Sequence, residues 1–156
     1  MIDKIKITEP NGGKHIAIVG DINSILASKK DTGGTYSVLE VKIFPNGGPM
    51  PHIQTLEHEG FYVLEGEISF TVNEKEIIAK RGTFINIPPN VTHSFKNKTE
   101  VLATMLVILA PGVLENLFME VGDEVSDPTI QPPSMSEDKM KKFISLLSDY
   151  GVEIKH

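Results

Sequence analysis

Apolar and polar residues alternate in short runs over the first two thirds of the chain, and glycine, proline and asparagine separate the runs. Tyr36 to Phe44 alternates well, with Val38, Val41 and Ile43 among its apolar members. A period of two is that of a strand with one buried face. Shorter strands are predicted at Ile16 to Val19, Ile22 to Ala27, Phe61 to Leu64, Ile68 to Val72, Glu76 to Ala79, Thr83 to Ile87 and Thr92 to Phe95. Val101 to Leu109 is a longer, nearly continuous apolar strand. Turn signals such as Asn11-Gly12-Gly13, Pro45-Asn46-Gly47-Gly48 and Pro88-Pro89-Asn90 lie between them. Many short strands at this spacing imply an all-β sandwich or barrel. Phe61, Val63, Phe70, Phe84 and Phe95 are its expected interior, with some free to line a cavity.

The period changes after Pro111. Val113, Leu114, Leu117, Phe118 and Val121 recur at helical spacing, with Gly122 as the stop. Asp123 to Pro133 is polar and contains proline, which reads as a loop. A second helix is predicted to start at Ser136, an N-cap residue followed by Glu137 and Asp138, with Met140, Phe143, Ile144, Leu147 and Tyr150 as its apolar stripe and Gly151 as its stop. These helices read as a cover or dimer element. The chain is therefore one domain, residues 1–156, with a β-barrel over 1–110 and a helical C-terminal extension over 111–156.

Composition narrows the function. The 156 residues suit one domain with an independent core. The net charge is −6, and a nucleic-acid binder would carry a basic footprint. Fourteen of the fifteen basic residues are lysine and only Arg81 is arginine, which disfavours ligands gripped by bidentate arginine clamps. The expected ligand is a neutral or weakly charged small molecule. No apolar run reaches the ~20 residues of a membrane span. The N-terminal MIDKIKITEP lacks a signal-peptide core, so the expectation is a cytoplasmic protein. Cysteine is absent, which excludes disulfides, thiolate metal sites and cysteine nucleophiles.

Two stretches carry candidate chemistry. The first has His52, Gln54, Glu59 and Gly66, and His52 and Gln54 share one face of a strand. The second has Gly82, Pro88, Asn90, His93 and Asn97. His58 alternates away from Glu59 and reads as a solvated or interface residue. His15, His156 and Arg81 read as ordinary surface residues.

These two stretches resemble the two motifs of the cupin family. The first family motif is a His-x-His pair, a glutamate after four more residues and a glycine after six more. His52, Gln54, Glu59 and Gly66 stand at those spacings. The second is Gly-x5-Pro-x-Gly-x2-His-x3-Asn, matched by Gly82, Pro88, Asn90, His93 and Asn97. The flanking GGTYSVLEVKIFPNGG and APGVLENLFMEVG segments are similar to the subgroup related to quercetin dioxygenase. Two departures stand out. Asn90 replaces a glycine, and asparagine tolerates positive φ. Gln54 replaces the second histidine, which bears on the chemistry.

The resemblance implies a double-stranded β-helix, or jelly roll, and a divalent metal held by His52, Gln54, Glu59 and His93. Two histidines and one carboxylate alone match the facial triad of non-heme iron oxygenases. An amide oxygen in place of an imidazole favours iron or manganese, with nickel or zinc as alternatives. The implied activity is a metal-dependent dioxygenase acting on a small, apolar or aromatic oxygenated molecule, with Glu59 as a general base. Two other readings stay open: a non-catalytic binding or sensing cupin, favoured by the Gln54 departure, and a sugar-type isomerase or epimerase. A homodimer is the expected assembly.

Overall fold

The computed structural model describes residues 5–156. The first four residues of the N-terminal stretch and of the domain read from the sequence lie outside the described residues. In chain order the elements are β1 (Lys14–Ile18), β2 (Asp21–Ala27), β3 (Ser37–Ile43), β4 (His52–Gln54), β5 (His58–Glu65), β6 (Glu67–Val72), β7 (Lys75–Lys80), β8 (Phe84–Ile87), β9 (His93–Lys96) and β10 (Ala103–Ala110). There follow α1 (Val113–Val121), β11 (Asp123–Val125), α2 (Glu137–Leu146), a 3-10 turn (Leu147–Tyr150) and β12 (Val152–Ile154).

The strands form two antiparallel sheets. One has the order β11-β1-β2-β3-β10-β5-β8 and the other β12-β4-β9-β6-β7. Strand alternation decides what lies between them. Along β3 Ser37, Leu39, Val41 and Ile43 are buried and the residues between them are not, as a half-buried strand requires. Leu39, Ile43, Val63, Ile68, Phe70 and Met105 are at most 1% exposed and form the centre of the core. Phe61, Phe70 and Phe95 stack edge-on or tilted, with centroids 5.2 to 5.7 Å apart.

The turns hold the left-handed conformations that their residues predict. Asn90, at the position of a motif glycine, has φ 70°. Gly66 has φ 79°, and a Cβ there would lie 2.9 Å from the Cβ of Ala103. Glycine is therefore needed for both conformation and space. Asn97 ends the second motif as a fastener. Its Nδ2 donates to the carbonyls of Ile43 and Val101, at 2.9 and 2.7 Å.

Both predicted helices are present. Ser136 caps α2, its hydroxyl accepting from the Lys139 N–H at 3.3 Å, and Gly122 ends α1. Three expectations are corrected. Phe84 is 56% exposed, because Tyr62 and Phe84 pair across β5 and β8 on the outer face while Phe61 and Ile85 face inward. His15 is buried, with Nδ1 2.6 Å from the hydroxyl of its cross-strand neighbour Ser24. The stretch read as a loop after Gly122 begins with β11, which pairs with β1.

Candidate metal centre

His52 and His93 face one another across the β4–β9 pair, with ring centroids 4.3 Å apart. Glu59 reaches them from β5, a strand of the opposite sheet. One donor atom from each of the three lies within 4.8 Å of the others, and all three residues are buried. Residues separated by up to 41 positions thus meet where the two sheets face each other.

The protonation pattern follows from the neighbours. Nδ1 of His52 lies 2.8 Å from the Met50 carbonyl, and Nδ1 of His93 lies 2.9 Å from the Val91 carbonyl. A carbonyl only accepts, so Nδ1 of each ring carries the proton and donates. Each Nε2 keeps its lone pair for the centre, the arrangement usual for metal-binding histidines. Nε2 of His93 and Oε2 of Glu59 are 2.7 Å apart, yet among the described residues neither has a hydrogen-bond partner of acceptable geometry. Two buried donor atoms that converge without bonding each other are what a bound cation between them would satisfy. The donor set fits a divalent metal.

The electrostatics agree with a coupled cluster. Burial holds the His52 imidazole below its usual range, and His93 pushes in the same direction against the pull of Glu59. Burial also pulls His93 down, but the Glu59 carboxylate beside it outweighs this and the net shift is upward. A cation at this point would replace the proton as the partner of the carboxylate.

Gln54 shares the buried face of β4 with His52, but its amide is engaged elsewhere. Oε1 accepts from the Leu56 N–H at 2.7 Å, and Nε2 donates to the Tyr150 carbonyl at 3.1 Å. His58 and Arg81 are exposed. The sequence reading passed over Glu57, which is 1% exposed. Its carboxylate accepts from the N–H groups of Gly112, Val113 and Leu114 at 2.9, 2.5 and 3.1 Å, so it caps α1 from 55 residues away. Burial pushes this carboxyl up to about 7, against the pull of those three donors.

The three donors open onto a cavity of about 430 Å³. Phe61, Phe95, Val107 and Leu109 wall it from the barrel, and Leu114, Leu117, Phe118, Met140, Phe143 and Ile144 wall it from the helices. An apolar chamber with a few convergent polar groups is the usual form of a small-molecule site.

Two facing antiparallel sheets around a buried His/Glu/His cluster define a jelly-roll protein with a candidate metal centre. Residues 39–109 match the family model described as the Cupin domain. The chain is 26% identical over 117 residues to quercetin 2,3-dioxygenase of Bacillus subtilis (strain 168), covering 75% of this chain and 34% of that protein. It is 30% identical over 97 residues to quercetin 2,3-dioxygenase of Aspergillus japonicus, covering 58% of this chain and 27% of that protein. The chain thus spans about a third, or less, of the length of these relatives. An RmlC-like cupin from Shewanella frigidimarina superimposes with a TM-score of 0.61 at 16% identity, over 72% of this chain and 96% of that one. Over residues 39–109 this chain resembles the cupin superfamily, and its curated relatives point to the quercetin dioxygenase-like subgroup.

Proposed function

We propose that this protein is a metal-dependent dioxygenase acting on a small, apolar or aromatic molecule that carries oxygen substituents. The observation that supports it most is the convergence of His52, Glu59 and His93 at one end of an apolar chamber. His52 and His93 would hold the metal through Nε2, and Glu59 through its carboxylate. A two-histidine, one-carboxylate set favours iron(II) or manganese(II), and the bound ion would supply Lewis-acid and redox capacity toward dioxygen.

The chain's own residues do the rest. Phe61, Phe95, Val107 and Leu109 bind the apolar body of the substrate and keep water from it. Glu59 is placed to accept a proton from a substrate hydroxyl presented to the centre. The Met50 and Val91 carbonyls fix both imidazoles in the tautomer that leaves Nε2 free. A cytoplasmic homodimer belongs to the same reading. The homodimer is supported by the outward Tyr62 and Phe84, 40% and 56% exposed, on adjacent strands, and sedimentation velocity tests it.

The test is metal analysis of protein purified without chelators, then oxygen uptake by iron(II)- or manganese(II)-loaded protein with quercetin and other flavonols. About one metal per chain and flavonol-dependent oxygen uptake are expected. His93→Ala is expected to lose the metal and keep the fold. Flavonol binding without oxygen uptake would make this a binding protein, and turnover of sugars alone would make it an isomerase.

A further inference from the structure

We infer that Gln54 is a positioning residue that fastens the His52 strand to the C-terminal wall of the cavity, and that it does not ligate the metal. The metal arm of its test rests on the reading above; the arm that follows the C-terminal wall does not.

Gln54 is 2% exposed, and both ends of its amide are used. Oε1 accepts from the Leu56 N–H and Nε2 donates to the Tyr150 carbonyl. Only one orientation of the amide satisfies both, since a flipped amide would set donor against donor and acceptor against acceptor. Tyr150 ends the 3-10 turn, where backbone carbonyls lack partners of their own. Gly151 follows at φ 78°, and a Cβ there would lie 2.7 Å from Oε1 of Gln54. Glycine at 151 therefore lets the segment close onto the amide.

The tie continues on both sides. The Gly151 carbonyl accepts from the N–H and the hydroxyl of Thr55, at 2.8 and 3.0 Å. β12 then pairs with β4, Val152 opposite Gln54 and Ile154 opposite His52. Beyond the pair, the Lys155 N–H donates to the Pro51 carbonyl at 2.8 Å. Leu147, Val152 and Ile154 of this segment line the cavity together with His52, and Gln54 does not. The residue at a family ligand position thus stands behind the cavity wall. A histidine turned toward the metal would leave the Leu56 N–H and the Tyr150 carbonyl without this partner.

The decisive variant is Gln54→Glu. A carboxylate keeps an acceptor for Leu56 but sets an oxygen against the Tyr150 carbonyl. As a ligand it would be a harder, charged donor and would tighten manganese(II) binding. As a fastener it cannot tighten it, and it loosens the C-terminal segment. Manganese(II) titration, quercetin titration and hydrogen exchange are measured on the full chain for wild type, Gln54→Glu and Gln54→Ala. The expected result is exchange at least about tenfold faster for amides 150–154 in both variants. Quercetin affinity is expected to fall by about fivefold or more, while manganese(II) affinity stays within about threefold of wild type. Manganese(II) binding about tenfold tighter in Gln54→Glu, about tenfold weaker in Gln54→Ala, or unchanged exchange at 150–154 in both variants would each overturn the inference. If the wild type binds no manganese(II), the metal-centre reading fails and the exchange data still decide the role of Gln54.

Discussion

Phe61, Val107 and Leu109 meet the cavity from β5 and β10, strands hydrogen-bonded on both sides; of the three candidate ligands Glu59 stands on β5, and His52 and His93 stand on β4 and β9 of the facing sheet. Met140, Phe143 and Ile144 meet the same cavity from α2, a helix of ten residues with none fully buried. The two walls differ in what holds them. The barrel wall is fixed by long-range backbone ladders and aromatic packing. The helical wall buries Leu114, Leu117, Val121 and Leu147 in the core, and α2 itself adds only partly buried side chains and a few fasteners: Glu57 at the start of α1, Gln54 at Tyr150 and an ion pair between Lys139 and Asp123. Local stability should follow this division, with the helical wall opening at lower cost than the barrel. Donors that must keep fixed geometry sit on the rigid side, while the surface that meets the varied body of a ligand sits on the side that can adjust.

The largest effect should separate the walls directly. Phe70 is 0% exposed and packs against Phe61 and Phe95. Phe70→Ala should cost about 3–5 kcal/mol in urea unfolding, the usual cost of deleting a buried phenylalanine ring. Phe143 is only partly buried against the core. Phe143→Ala should cost less than half as much while weakening quercetin binding. Equal costs would mean that the cover carries as much of the fold as the barrel.

The same division explains what the sequence revealed. The barrel was legible because alternation repeats over many strands and the two motifs keep their spacing, so His52, Glu59 and His93 stood out before any contact was known. The cover was legible as helices from the stripes of Val113 to Val121 and Met140 to Tyr150. Its attachment was not. β11 and β12 have three residues each, too few to show a period. Gln54 and Glu57 act on Tyr150 and Gly112, and nothing in local sequence marks a partner at that distance. Phe84 was misplaced by parity: in a four-residue strand a shift of one residue exchanges the faces.

A pH dependence should sharpen the contrast, because the barrel wall also buries an acid that the metal centre does not use. Asp21 on β2 is 7% exposed, its Oδ1 has no hydrogen-bond partner among the described residues, and burial pushes its carboxyl up to about 7 against the backbone of Phe44 and Gly48. A carboxyl raised in the folded state favours folding while it is protonated in both states. That contribution is present below about pH 4 and is lost as pH rises through about 7. Asp21→Asn removes the titration. It should stabilise the protein on the order of 2–4 kcal/mol at pH 8 and change little at pH 4, read from urea unfolding at both values. A gain that does not depend on pH would mean that Asp21 is not ionising inside the fold.

The smallest effect tests whether the cover moves on its own. The Ser136 hydroxyl accepts from the Lys139 N–H at 3.3 Å, a long bond, with Glu137 and Asp138 also favouring the start of α2. Ser136→Ala should cost the helix about 0.5–1 kcal/mol, the lower part of the range for N-cap loss. Because Met140 and Phe143 lie within the first two turns, fraying there withdraws them from the cavity wall. If α2 opens apart from the barrel, this cost appears as about two- to fivefold weaker quercetin binding, since 1.4 kcal/mol is tenfold. Exchange of the α2 amides should accelerate by the same factor, while the urea midpoint of the barrel stays where it was. A midpoint lowered by the full cost, with exchange accelerated equally in β5 and β10, would show one cooperative unit and remove the distinction between the two walls.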